Sequence, residues 1–237
     1  ANEPLCYKML EPETPNKMDF KILKHFAHHT GRLFDGTDRW GVTGEAGFFL
    51  DPFYSPGSDL ISLNNTWLSD LILRDLNGED VQFRAEIYEQ TALNRFDSGV
   101  PIYQDKYMLM VNTQIMLSKI VWDWAIYWSV PCLLFTNNAF TDLKMIKQLF
   151  ALPKSPGQKF KTLSERMQQL FLDWLPYENE IFEGRYLDPV DLNFMLKFQH
   201  GIVDRHGDKL LEQIAANIIL LEKIAAERRT IHEQELQ

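Results

Sequence analysis

The spacing of apolar residues along the chain predicts a mainly helical protein. From residue 58 onward, apolar side chains recur every three or four positions, which is the period of a helix with one buried face. The pattern predicts helices over residues 58–76, 80–95, 103–128, 141–152, 162–174, 189–198 and 208–226. It also predicts a short amphipathic helix over residues 18–29, which Thr30 and Gly31 close.

The last predicted helix carries its apolar residues at alternating spacings of three and four. They are Leu211, Ile214, Ile218, Leu221 and Ala225. This spacing is typical of a left-handed coiled-coil seam, although two heptads are short for one. We therefore expect a terminal helix that docks on the rest of the protein. The alternative is a seam that serves a homo-oligomer.

The first 57 residues have a different character. Residues 1–17 contain three prolines and predict an irregular lead-in. Residues 40–43 have the composition of a short strand, and the glycine-containing residues 44–47 predict a turn after it. We expect an α+β fold, mainly α, with a small α/β piece over residues 1–57 and a helical domain over residues 58–237.

Composition narrows the range of partners. A formal net charge of -9 opposes binding to a phosphate backbone, so we expect no nucleic-acid partner. The longest apolar stretch, residues 120–135, contains Asp123 and Pro131 and is shorter than the roughly 20 residues that cross a bilayer, so we expect no membrane partner. Cys6 and Cys132 are far apart and form no CxxC motif, which favours the reducing cytoplasm.

The segment from residue 38 to residue 59 carries the clearest chemical signal. Gly44, Ala46 and Gly47 are small enough for the backbone to approach a bulky ligand, and Glu45 can accept hydrogen bonds from ligand hydroxyls. A helix that begins near Ser58 presents free N–H groups and the positive end of its dipole, which stabilise negative charge. The segment therefore favours a polyhydroxylated, negatively charged cofactor.

This segment resembles the second flavin-contacting motif of FAD monooxygenases, especially their tryptophan-halogenase-like branch. The resemblance comprises a strand, the turn at residues 44–47, Asp51-Pro52, and then Ser55-Pro56-Gly57 before a helix. It implies that the chain corresponds to the C-terminal half of such an enzyme, with residues 1–57 a remnant of the FAD-binding domain and residues 58–237 a helical domain that covers the substrate.

The resemblance also implies a set of FAD-binding residues. Gly44 and Glu45 would contact the ribityl or pyrophosphate portion, Pro52 and Phe53 would lie against the isoalloxazine ring, and Gly57 would lie beneath it. The complete implied set is Gly44, Glu45, Ala46, Gly47, Asp51, Pro52, Phe53, Ser55, Gly57 and Ser58.

Two departures from the family limit what the resemblance implies. Pro56 stands where the family has Ser or Thr and has no N–H to offer, which puts halide binding in doubt. No Gly-x-Gly-x-x-Gly motif follows a strand in the 237 residues, so the ADP-binding unit and the family's catalytic Lys would belong to a separate N-terminal FAD-binding half. No residue of this chain is assigned as catalytic.

The resemblance implies part of an FAD-dependent monooxygenase or halogenase-like oxidoreductase. Its substrate would be organic, aromatic or apolar, and would be oxidised through a flavin C4a-hydroperoxide. Two alternatives stay open, which are a flavin reductase-type oxidoreductase and a non-catalytic helical interaction module with a relic flavin site.

Other patterns have simpler explanations. The run of residues 122–126 contains two Trp residues and predicts a helix packed on the core. His25, His28 and His29 share one face of a predicted helix but lack a carboxylate or Cys partner, so we expect no metal site. Ser55, Ser58 and Asp59 are interpreted as helix-capping residues, not as part of a nucleophilic site.

Four aromatic residues of the helical part form a stripe with two interpretations. They are Tyr103, Tyr107, Trp124 and Trp128. The simpler interpretation is that they fill the core, and the alternative is that some of the rings face the substrate.

Overall fold

The protein is described by a computed structural model that covers residues 4–16, 18, 26–151, 154–175 and 193–235, with side chains up to residue 227. The helices are α1 (Pro4–Leu10), α2 (Pro56–Leu76), α3 (Gln82–Tyr103), α4 (Thr113–Ser129), α5 (Pro131–Thr136), α6 (Leu143–Ile146), α7 (Pro156–Trp174), α8 (Asn193–His200) and α9 (Asp208–Glu235). Helices account for most of these residues, which confirms the predicted α+β, mainly α class.

The strands are short and lie between α1 and α2. They are β1 (His28–His29), β2 (Phe34–Asp35), β3 (Trp40–Gly41) and β4 (Phe48–Phe49). β1 pairs antiparallel with β4, so that His28 lies opposite Phe49, and β2 pairs antiparallel with β3, so that Phe34 lies opposite Gly41. β3 confirms the predicted strand over its first two residues.

The predictions for the N-terminal region are partly wrong. Residues 4–16 form α1 and a 3-10 turn instead of an irregular segment, and Pro4 stands in the first turn of α1, where its missing N–H costs no hydrogen bond. The helix predicted over residues 18–29 falls partly outside the described residues. Its described end is not helical, because the backbone of His28–His29 pairs with β4 and the ring of Phe26 packs on Phe49.

The long helix predicted over residues 103–128 is divided into separate elements. α3 continues to Tyr103, a 3-10 turn covers Tyr107–Val111, and α4 begins at Thr113. Asn112 causes the new start, because its side chain accepts the N–H of Ile115 at 2.9 Å. Downstream, a π-helical turn covers Lys147–Ala151, where a longer α-helix is predicted.

Two clusters of buried side chains form the core. One joins β2, β4, α2, α3 and the first part of α9 to the segment of residues 130–149, and the other joins α4, α7, α8 and the later part of α9. Phe160 of α7 packs against both clusters. Apolar residues of the first 57 positions therefore share a core with the helices, and a domain boundary at residue 57 stays a prediction.

The terminal helix α9 docks on the protein, as the sequence predicts. Ile214, Ile218 and Leu221 are buried, together with Leu210 in place of the predicted Leu211. α9 packs mainly against α7 and also against α4. Within the described residues, no helix combines the length and the hydrophobicity needed to span a membrane.

Glu89 of α3 anchors the β2–β3 hairpin. Its carboxylate accepts the backbone N–H groups of Leu33 at 2.6 Å and Phe34 at 3.2 Å, and it also pairs with Arg32 at 3.1 Å. Both backbone donors belong to buried residues, so they depend on this carboxylate for a partner.

We expect Glu89→Ala to lower the free energy of unfolding by about 2 kcal/mol, because it leaves a buried donor without an acceptor. Urea denaturation measures the change. Glu222→Ala, at an exposed position of α9, is the control and is expected to change stability by less than about 0.5 kcal/mol. Equal effects of the two substitutions would contradict an anchoring role for Glu89.

Candidate functional site

The predicted glycine turn forms a 3-10 turn over Gly44–Ala46 that packs against α2. Gly44 has a φ of +66°, a conformation that strongly favours glycine. A Cβ at this position would lie 3.6 Å from the side chain of Ile61. The turn is closed by the N–H of Gly47, which donates to the carbonyl of Gly44 at 2.9 Å.

A histidine lies beside this turn. The ring nitrogens of His28 contact two backbone carbonyls, Phe26 at 3.0 Å and Glu45 at 3.1 Å. These hydrogen bonds raise the pKa of His28, because an imidazolium can donate to both carbonyls at once. The bond to the Phe26 carbonyl has the larger effect. The Glu45 side chain is exposed, so the turn presents both an acidic and a basic group to solvent.

The turn and Gly57 flank the same face of α2. Gly57, Ile61 and Asn65 are spaced by four residues and therefore share one side of the helix. Thr43, just before the turn, donates its hydroxyl to the Asn65 side chain at 2.8 Å. A Cβ at Gly57 would meet nothing within 4 Å. We call Gly44, Gly57 and Ile61 the outer strip of α2.

Asp51 holds the loop between β4 and α2 in place. Its buried carboxylate accepts the N–H of Phe53 at 2.8 Å and the hydroxyl of Tyr107 at 2.8 Å. The pKa of Tyr107 is raised to about 12, mainly by burial and to a smaller extent by its hydrogen bond to Asp51. Pro52 is exposed and the ring of Phe53 lies 4.3 Å from that of Tyr54, so the loop is ordered by its own side chains.

The start of α2 has an unusual backbone. Tyr54 has a φ of +66° and Ser55 a φ of +56°, in the left-handed region that residues other than glycine rarely adopt. Ser55 precedes the helix, but its side chain makes no capping hydrogen bond, which corrects the predicted capping role. Strained backbone of this kind often accompanies functional sites. Both residues, and the first turn of α2 that follows them, line a cavity.

That cavity has a volume of about 750 Å³ and lies between α2, α3, α4, α7 and α8. Of the predicted site residues, Ser55 and Ser58 line it together with Pro56, whereas the turn at residues 44–47, Asp51, Pro52, Phe53 and Gly57 do not. Its volume is in the range of small-molecule sites. The structure therefore separates the predicted residues into two groups, which meet at the first turn of α2.

Aromatic rings form much of the cavity wall. They belong to Tyr54, Tyr103, Trp124, Tyr127, Trp128, Phe140, Phe150 and Phe160. Three of the four residues in the predicted aromatic stripe are among them, and the fourth, Tyr107, instead binds Asp51. Rings at such positions provide flat apolar surfaces on which an organic ligand can stack.

One side of the cavity carries Arg95 and Asp59. Arg95 extends from α3, and its Nε atom is buried without a hydrogen-bond partner among the described residues. Asp59, in the first turn of α2, accepts the hydroxyl of Tyr127 at 3.3 Å. Burial lowers the pKa of Arg95 and raises the pKa of Asp59, because each charged form loses its hydration.

Asp123, which also lines the cavity, belongs to a buried ion pair on α4. Lys119 and Asp123 are one helical turn apart and form a hydrogen-bonded pair, and Gln168 of α7 donates to the other Asp123 oxygen at 2.7 Å. Lys119 is 2% exposed, so neither charge is well hydrated. Burial raises the pKa of Asp123 and lowers the pKa of Lys119. The Tyr54 hydroxyl lies nearby and has no hydrogen-bond partner among the described residues.

These charged residues are absent from the sequence-based site. Asp123 lies inside the run of residues 122–126, which the sequence suggests is simple core. Trp122 is indeed buried, but Asp123 and Trp124 line the cavity. One sequence signal does indicate the Lys119–Asp123 pair: a Lys and an Asp lie four residues apart within an otherwise apolar helix, and buried charges persist only when paired.

Of the three histidines in the predicted helix, His28 and His29 form no metal site within the part of the chain that the structure describes. His28 and His29 are adjacent on β1, and His29 contacts a different carbonyl, that of Thr30. His25 lies outside the described residues. Among the residues described, no three His, Cys, Asp or Glu side chains are grouped closely enough to hold a metal ion.

Comparison with known proteins gives one distant relative. A flavin-dependent halogenase, chlA of Dictyostelium discoideum, is 24% identical over 195 residues. The chain is distantly similar to a flavin-dependent halogenase. The alignment covers 74% of this chain and 32% of the relative, so the chain spans about a third of that protein's length. No family profile matches the chain, and no solved structure matches it significantly.

Proposed function

We propose that this chain forms the substrate-covering part of an FAD-dependent oxidoreductase of the halogenase or monooxygenase kind. The observation that carries the proposal is the aromatic cavity of about 750 Å³ at the first turn of α2, the helix whose outer strip includes two of the predicted flavin residues, Gly44 and Gly57. The similarity to a flavin-dependent halogenase supports the same class. The substrate would be an aromatic or otherwise apolar organic molecule.

The outer strip fits one side of a flat ring system. Gly57 leaves open space where a side chain would stand, Gly44 permits a close backbone approach, and the N-terminus of α2 offers positive potential. His28 and Glu45 lie at the turn, where ribityl or phosphate oxygens would lie. When bound, a reduced flavin would supply the activation of oxygen, and this chain would hold the flavin and exclude water from the substrate.

Gly57→Leu is expected to lower FAD affinity at least tenfold, because the new side chain would occupy the open space on the outer strip. The measurement is a titration that follows quenching of flavin fluorescence. Leu is a better helix former than Gly by roughly 1 kcal/mol, so α2 should persist. Gly31→Leu is the control, since a Cβ there also meets nothing within 4 Å and Gly31 lies outside the predicted site.

The titration is made with the chain alone and with a dinucleotide-binding half added, because the proposed ADP site lies outside this chain. Absence of saturable flavin binding in both cases would refute the proposed function. Product analysis with and without chloride or bromide then separates halogenation from monooxygenation. Pro56 has no N–H for a halide, which favours the halide-independent reaction.

A further inference from the structure

Of the two cations that line the cavity in the described part of the chain, Lys161 pairs with Glu165 and Arg95 forms no ion pair. Asp123 is paired with Lys119, whereas Arg95 has no carboxylate within 4 Å in the described structure. Asp59 is near enough to attract it electrostatically, but the hydrogen bond that Asp59 accepts comes from the Tyr127 hydroxyl. A guanidinium in such surroundings lacks the acceptors that usually accompany burial.

The position of Arg95 makes it available to a ligand. It lines the large cavity and also the small pocket of about 90 Å³ beside it, so its side chain stands at the junction of the two spaces. Aromatic rings of Tyr103 and Tyr127 line the same part of the large cavity. A ligand that fits here would combine a flat ring with an acidic group that can accept two parallel hydrogen bonds.

We propose that the cavity binds an aromatic carboxylic acid, whose carboxylate pairs with Arg95 and whose ring lies among the aromatic residues of the wall. This inference rests on the proposed function only in calling that acid the substrate. It names the substrate's chemical class, which neither the similarity to the halogenase nor the flavin motif specifies. The planar guanidinium favours a carboxylate because two N–H donors match its two oxygens.

The test uses 2-naphthoate and 2-naphthamide, which have the same size and shape but differ in charge. Their binding to the full chain is measured by calorimetry without flavin. We expect 2-naphthoate to bind at least tenfold more tightly than 2-naphthamide. Arg95→Gln is expected to remove that preference by weakening 2-naphthoate binding at least tenfold, with less than a twofold change for 2-naphthamide.

Three further variants keep the test decisive. Arg166→Gln removes an exposed arginine of α7 and is the matched control, with no expected change for either probe. Arg95→Lys keeps the charge without the planar fork and is expected to show an intermediate preference, so it decides the matter if Arg95→Gln does not fold. Arg95→Met should raise the melting temperature, because it removes a poorly partnered buried charge.

Equal binding of the two probes by the unmodified chain would overturn the proposal, and so would an unchanged preference in Arg95→Gln. A lower melting temperature for Arg95→Met would also count against it, since it would reveal a structural partner for the guanidinium. None of these results bears on flavin binding at the outer strip. Failure here is therefore distinguishable from failure of the proposed function.

Discussion

Lys119→Met is expected to lower the free energy of unfolding by about 3–5 kcal/mol at pH 7, because Asp123 would then be buried without its cation. Gln168 would still donate to one Asp123 oxygen, but a neutral amide does not balance the charge. Chemical denaturation measures the loss. The double variant Lys119→Met/Asp123→Leu should recover most of it, because no buried charge remains.

The same helical spacing occurs at the surface and provides a control. Lys161 and Glu165 of α7 lie 3.9 Å apart with nearly half of each side chain exposed, so Lys161→Met should cost less than about 1 kcal/mol. Similar losses for Lys119→Met and Lys161→Met would contradict a buried ion pair that matters for stability.

The effect of Lys119→Met should depend on pH in a defined direction. Burial already raises the pKa of Asp123, and loss of Lys119 removes an attraction that lowers it. The folded variant therefore binds a proton more readily than the unfolded chain, so its stability falls as pH rises through the folded pKa of Asp123. We expect the difference in free energy of unfolding between Lys119→Met and the unmodified chain to become smaller when the pH is lowered from 7 to 5. A deficit that grows toward low pH would contradict this assignment.

Trp67→Ala is expected to lower the free energy of unfolding by about 3–5 kcal/mol, because it empties a fully buried site between α2 and α3. The Trp67 ring stacks on Tyr88 and meets Phe140 edge-on, and its Nε1 donates to the carbonyl of Phe140 at 2.8 Å. Thermal or urea unfolding measures the change.

Trp67→Phe separates packing from this hydrogen bond. It keeps most of the apolar contact but leaves the Phe140 carbonyl without the indole donor, so a smaller loss of about 1–2 kcal/mol is expected. Trp67→Phe should also weaken 2-naphthamide binding, because Phe140, which loses its contact with the indole, lines the cavity. Ile72→Ala, at a half-exposed position of the same helix, is expected to cost much less than Trp67→Ala. Comparable costs would contradict a central packing role for Trp67.

The helical elements could be predicted because their burial follows the period of a helix. α2, α7 and α9 each present apolar residues every three or four positions, and each forms where it is predicted. α2 matches its predicted bounds closely, whereas α7 (Pro156–Trp174) begins well before the predicted residue 162 and α9 (Asp208–Glu235) extends well past the predicted residue 226. The break before α4 escaped prediction, because it depends on the side chain of Asn112 capping the new helix. β1 escaped as well, since strand pairing with β4 is a long-range contact that local periodicity does not encode.

The candidate site was predictable only in part. Glycines and prolines reveal loops and close backbone approach, so the outer strip and the start of α2 were visible in the sequence. The cavity positions of Arg95 and Asp59 were not visible in the sequence, because a charged residue on a helix usually faces solvent. Only the packing of α2, α3 and α4 around one cavity places them inside. The FAD contacts of the predicted residues stay predictions.

The first turn of α2 has two opposite sides, for which we propose different roles. Gly57 belongs to the outer strip and Asp59 to the cavity, and two residues correspond to a rotation of about 200° around a helix. At this point, no more than a helix backbone, roughly 5 Å thick, therefore separates the cavity from the proposed flavin surface. The electric field of a ligand on either side would act on the same few peptide dipoles, so a flavin bound at the outer strip would report in its spectrum on what occupies the cavity.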